Sequence, residues 1–158
     1  MWTKRISAMP RASWDSYFLG MAQYAATRST CVRRRVGCVM VRGKRVLATG
    51  YNGSPAKAPH CLDVGCARSG LESGERLDLC KAVHAEANAI SQAARFGIPL
   101  EGATAYVTVR PCAGCMRLLI QAGVERVVYD GGYPDETTVQ VAKESGYEVK
   151  QGEIIKVF

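Results

Sequence analysis

The sequence predicts an α/β fold, a three-layer α/β/α sandwich around a mixed central sheet. Three observations predict it. The chain has 158 residues, 47% hydrophobic and 22% charged, which suits one domain with a packed core. Two strand-like runs, residues 36–41 and 45–49, meet at Gly43-Lys44, the pattern of a β-hairpin. Helix-like and strand-like segments then alternate to residue 145, which requires helices on both faces of the sheet.

Each element has its own signal. Ser13 can cap a helix running to Ser29, with Trp14, Tyr17, Phe18, Met21 and Tyr24 as an apolar stripe at three- and four-residue spacing, expected to face the core. A helix over 82–96 is stopped by Gly97 and Pro99. Residues 103–109 read as a buried strand, 113–122 as a short helix, 124–129 as a strand and 136–145 as a helix, followed by one last extended stretch. Residues 1–12 are expected to form a flexible extension of a single domain spanning 1–158. Residues 50–80 have no clean period and are rich in Gly, Pro and Cys. A loop of that length is functional or is held by something.

Composition narrows the function classes. No apolar run of about 18 residues is present, and the basic N-terminal stretch lacks the apolar region of a secretory signal. This points to a cytoplasmic protein without a membrane partner. The formal net charge is +7, which suits anionic ligands such as nucleotides or nucleic acid, or simply a solvated basic surface. Seven cysteines, an odd number with no sign of secretion, read as metal ligands before disulfides.

The chemistry-bearing pattern is His84-Ala85-Glu86 followed by Pro111-Cys112-Ala113-Gly114-Cys115. One imidazole and two thiolates give three ligands for a catalytic Zn²⁺, which keeps its fourth position for water. Glu86, two positions past His84, can stand beside that water and shuttle its proton without ligating the metal. Cys112 and Cys115 at a helix start can face one ion, and the helix dipole favours their thiolates. Alone, a CxxC could be a redox pair or half a structural zinc site. The joint pattern is the signature of zinc deaminases.

His84-Ala85-Glu86-Ala87-Asn88-Ala89-Ile90, Tyr106-Val107-Thr108 before Pro111-Cys112, Arg28-Ser29-Thr30-Cys31-Val32-Arg33-Arg34 with Val36-Gly37, and Thr49-Gly50-Tyr51-Asn52-Gly53-Ser54-Pro55 together resemble the deoxycytidylate (dCMP) deaminases, bacterial and archaeal competence-associated members included. The resemblance covers residues 14–149 and implies the cytidine deaminase-like fold. It implies hydrolysis of dCMP to dUMP and ammonia, with zinc held by His84, Cys112 and Cys115 and protons moved by Glu86. It places Asn52 at the sugar and base, the backbone around Ala85 at the pyrimidine, and Tyr133 over the substrate. Asn88 is a family hallmark, read equally as a substrate contact or as a residue orienting its helix. The family is regulated by dCTP with Mg²⁺ and by dTTP in a hexamer, which implies an effector site near Arg28, Arg33, Arg34 and Tyr51. Arg110 departs from the family, where a small or apolar residue is usual. It could meet a substrate phosphate or a subunit interface.

Of the remaining cysteines, Cys38 reads as a core residue inside a strand. Cys31, Cys61, Cys66 and Cys80 could hold a second, structural Zn²⁺ that replaces the missing core of the long loop. Some family members carry such a site with cysteines at the positions of Cys31 and Cys61. A site with His60 in place of one cysteine is the competing arrangement. Two other functions remain open: a zinc deaminase acting on another nucleotide or on tRNA adenosine, and a non-catalytic zinc-stapled binding module. The 29–34 and 49–55 blocks argue against the first, and the acid–base carboxylate Glu86 argues against the second.

Overall fold

The structure is a computed structural model that describes residues 10–158. The nine residues before Pro10, most of the expected N-terminal extension, lie outside the described residues. The elements run α1 (Trp14–Ala26), β1 (Gly37–Arg42), β2 (Arg45–Tyr51), α2 (Cys61–Val64), a 3-10 turn (Leu77–Leu79), α3 (Ala85–Arg95), β3 (Thr104–Val107), α4 (Ala113–Gln121), β4 (Arg126–Tyr129), α5 (Glu136–Glu144), β5 (Tyr147–Lys150) and β6 (Glu153–Lys156).

Six strands form one mixed sheet in the order β2-β1-β3-β4-β6-β5. β3 and β4 are parallel and every other pairing is antiparallel. The hairpin turn is at Gly43-Lys44 as expected. Both residues are left-handed (φ 56° and 61°), the requirement of a type I′ turn. The last extended stretch is a second hairpin, and its far arm β6 inserts beside β4. Gly152, at φ 79°, makes that reversal.

The sheet separates two cores. On one face α3, α4 and α5 lay Ala89, Ala93, Met116, Leu119 and Ala142 against Met40, Ala105, Val107 and Val127. On the other, α1 lays Phe18 and Ala22 against Val39, Val41, Tyr106 and Val128. This is the three-layer sandwich the sequence predicts. The aromatic stripe of α1 is corrected. Trp14, Tyr17 and Tyr24 are exposed, and the buried face is Phe18, Ala22 and Ala26. The reason is close approach: a Cβ on Gly37 would collide with the Ala22 carbonyl and stand 2.6 Å from the Ala26 nitrogen. Only small residues fit a helix that lies directly on a strand backbone.

The α1 end is pinned to the sheet by charge. Arg126 on β4 grips Asp15 with two bonds of 2.8 and 2.7 Å and also pairs with Glu153 on β6, while the Tyr106 hydroxyl donates to Asp15 at 2.9 Å. Asp15 is held below the usual carboxylate range, chiefly by Arg126. Tyr106 is pushed up to about 12, first by burial and then by Asp15.

Candidate metal and substrate site

The site lies where two helices begin. His84 is the residue before α3 and Cys112 the residue before α4, both in extended backbone. The helix over 82–96 therefore starts later than expected, because Val83 forms a two-way backbone bridge with Gly53. That bridge fixes the approach to His84. Pro111 is buried ahead of Cys112, and the Cys112 sulfur accepts from the Cys115 N–H at 3.4 Å, closing the first turn of α4.

His84 Nδ1 lies 3.5 Å from the Cys112 sulfur and 3.4 Å from that of Cys115. All three ligand atoms fall within 4.8 Å of one another, the only such group of three or more among the described residues. Zinc bonds of about 2.3 Å to sulfur and about 2.0 Å to nitrogen at a tetrahedral angle separate S from N by about 3.5 Å. The trio therefore fits a zinc ion as it stands. Its electrostatics agree. The Cys112 thiol is brought down to about 4, by its hydrogen bonds with Cys115 and His84. The Cys115 thiol is pushed far up, because Cys112 already carries the negative charge and burial penalises a second. A cation between them removes that conflict and lets both be thiolates. His84 is raised by the same Cys112 contact.

Glu86, in the first turn of α3, is 3% exposed and lies against Cys115. Burial pushes its carboxyl above the usual range. A buried carboxyl that holds a proton more readily than normal, beside a metal-binding trio, is equipped to take and return protons.

Above the trio opens a cavity of about 450 Å³. Ala85 and Asn52 line it. Asn52 is mostly committed elsewhere. Its Oδ1 accepts from Ser29 Oγ (2.6 Å) and from the Val36 N–H (2.8 Å), and its Nδ2 donates to the Arg34 carbonyl (2.8 Å). One amide hydrogen remains for a ligand. Ser29, 2% exposed, is a residue whose role the sequence reading missed. It sits in the quoted 28–34 block, and its hydroxyl locks Asn52 in place.

Other expected site residues lie elsewhere. Asn88 donates to the Tyr51 carbonyl at 2.6 Å and lines a separate groove of about 460 Å³ between β2 and α3. Tyr133 is 49% exposed and lines a shallow groove beside α5, outside the cavity over the trio. The effector set is divided. Tyr51 lines the β2–α3 groove, Arg33 and Arg34 line the cavity over the trio, and Arg28 lines neither. Arg110, left open in the sequence, lines the cavity over the trio.

Cys31, Cys61, Cys66 and Cys80 all line the same cavity, whereas His60 lines the other groove. Cys31 and Cys66 each accept a backbone N–H from two residues on, at 3.4 Å. Their sulfurs do not form a group as tight as the His84 trio. Cys38 is fully buried in the core, as expected.

The profile of the cytidine and deoxycytidylate deaminase zinc-binding region matches residues 12–130. The chain belongs to the cytidine and deoxycytidylate deaminase family. The deoxycytidylate deaminase of Saccharomyces cerevisiae is 42% identical over 149 residues, 94% of this chain and 47% of the yeast protein. This deaminase-family chain thus spans about half the length of that relative. ComE operon protein 2 of Bacillus subtilis is 42% identical over 92% of this chain and 75% of its own. The crystal structure of dCMP deaminase from cyanophage S-TIM5 in complex with dCMP and dUMP is similar at a TM-score of 0.71 and 26% identity, covering 90% of this chain and 98% of that one. Among the described residues no helix is long and apolar enough to cross a membrane.

Proposed function

We propose that this chain deaminates dCMP by hydrolysis, giving dUMP and ammonia. The observation that carries the reading is the buried Glu86 beside a His84, Cys112 and Cys115 trio already at zinc-binding distances. The S. cerevisiae relative, a deoxycytidylate deaminase, and the S-TIM5 complex with dCMP and dUMP support the substrate.

A zinc ion held by the trio supplies acidity, making hydroxide available from water near neutral pH. Glu86 accepts the proton that the attacking water gives up as its oxygen bonds to C4 of cytosine. It passes that proton to ring N3. After the remaining hydroxyl loses its proton through Glu86, that proton goes to the C4 amino group, and the C4–N bond breaks to release ammonia. The backbone at Ala85 and the free amide hydrogen of Asn52 hold the base and sugar. Tyr133 closes over the substrate only if the 130–134 segment turns inward.

Two further parts belong to the proposal. A structural Zn²⁺ on Cys31, Cys61, Cys66 and Cys80 holds the 50–80 segment, which is otherwise held by backbone turns and arginine staples. Nucleotide effectors, dCTP with Mg²⁺ and dTTP, act at the β2–α3 groove beside Tyr51, where the hydroxyls of Thr30 and Ser54 are buried and without partners among the described residues. The protein works as a homo-oligomer in the cytoplasm, with no membrane or nucleic-acid partner.

The test is ammonia release from zinc-loaded protein with dCMP, run alone, with dCTP and Mg²⁺, and with dTTP. Turnover supports the substrate, and opposite responses to the two effectors support regulation. No turnover under any of these conditions overturns the substrate. Metal analysis tests the second site: two zinc per chain is expected, falling to one in Cys66→Ser.

A further inference from the structure

Four arginines line the cavity over the trio: Arg33, Arg34, Arg68 and Arg110. They are not equivalent. Arg33 spends its guanidinium on the carbonyls of Arg68 (2.7 Å) and Leu71 (2.8 Å). Arg68, only 7% exposed, donates to the carbonyls of Glu75 (2.7 Å) and Glu72 (3.2 Å). These two staple the 66–76 loop. Arg34 and Arg110 have no side-chain hydrogen bond and no carboxylate within 4 Å among the described residues, and the nine residues outside them hold no Asp or Glu.

The cavity has one carboxylate in its lining, Glu86, at the floor beside the trio. The floor is thus acid–base and metal chemistry, and the charge not used by the protein itself is positive. Arg110 is also seated. Its guanidinium rests on Gly132, where an added Cβ would stand 2.7 Å from Nη1 and 3.7 Å from Cζ. Gly132 leaves open the space that the guanidinium occupies. An arginine fork with no partner among the described residues, held over a cavity, matches two oxygens of a phosphate.

We infer that Arg34 and Arg110 form a clamp for the 5′-phosphate of the substrate, with Gly132 as the seat of Arg110. This rests on the nucleotide-deaminase reading and adds what selects the phosphorylated form over the nucleoside. Arg34 leaves the expected effector set under this assignment and becomes a substrate residue.

The test is calorimetric binding of dUMP and of deoxyuridine to zinc-loaded protein, alongside kcat/KM for dCMP and deoxycytidine. The unmodified protein prefers the phosphorylated member of each pair. Arg110→Gln and Arg34→Gln each lower that preference by about 10- to 100-fold, the size of a lost charge-assisted contact. The loss falls on dUMP affinity and on KM more than on kcat, because the phosphate is remote from C4. Arg45→Gln removes the same charge outside the cavity and leaves the preference unchanged. An Arg110→Gln protein with the preference of the unmodified chain overturns the clamp. The binding ratio decides this whether or not ammonia is released, so a failed substrate reading is distinguishable from a failed clamp.

Discussion

Gly50 on β2 and Ala85 at the start of α3 meet backbone to backbone. A Cβ on Gly50 would collide with the Ala85 carbonyl and come within 2.6 Å of the Ala89 nitrogen. The contact sets the height of α3 over the sheet, with His84 immediately before α3 and Glu86 in its first turn. One missing side chain therefore positions two groups of the site.

Gly50→Ala forces α3 away from β2. We expect a loss of about 1–3 kcal/mol in urea unfolding, the usual cost of overpacking, and lower ammonia release as His84 and Glu86 shift. Unchanged stability would mean that the helix slides without cost.

Glu86→Gln keeps the shape of the buried side chain and removes its proton exchange. Turnover should fall by about 10²–10⁴-fold, while metal analysis still finds zinc on the trio. Normal turnover in this variant would sink the proton-shuttle role.

Cys115→Ser removes a buried ligand. Zinc content should fall by one per chain, and the thermal midpoint should drop part of the way to that of chelator-treated protein, which loses both ions, since metal binding free energy is also folding free energy. A variant that retains the full zinc content would remove Cys115 from the ligand set.

Ser29→Ala leaves Asn52 Oδ1 short of a buried donor and frees the clip between residues 29–36 and β2. A loss of about 1–3 kcal/mol is expected, with weaker dUMP binding. Retained stability with retained binding would show that Asn52 is held without Ser29.

The Asp15 carboxyl is lowered by Arg126. Its folded value lies below its unfolded one, so the stability it adds is present above the unfolded value and is lost as pH falls through the folded one. Asp15→Asn should cost about 1 kcal/mol at pH 7, because the pair is partly exposed. The gap should close in urea titrations only as pH falls below the ordinary carboxylate range. On the alkaline side, Tyr106 has a folded value above its unfolded one, so its contribution is present below about pH 10 and is lost toward about pH 12.

The order of elements was legible because its signals are local, and the metal trio because each of its two halves is a short motif. The hairpin needs two left-handed residues at 43 and 44. The trio needs only His84 and Cys112 at the heads of two helices, with Cys115 one turn inside the second. The α1 stripe misled, because periodicity marks which residues are apolar and not how closely a helix approaches. Gly37 admits Ala22 and Ala26, and the rings of Trp14, Tyr17 and Tyr24 fall outside.

By itself the sequence determined the alternation of helix and strand and the two short motifs, His84-Ala85-Glu86 and Pro111-Cys112-Ala113-Gly114-Cys115, whose joint pattern named the donor set and Glu86 beside it. The tertiary structure decided what depends on distant segments meeting. It inserted β6 between β4 and β5, committed Asn52 to Ser29 and Val36, and sent His60 to one groove and Cys61 to another. It also spent Arg33 and Arg68 on loop carbonyls while leaving Arg34 and Arg110 without a side-chain partner among the described residues. Spacing along a chain states which groups are available, whereas partner and direction are fixed only when packing removes the alternatives.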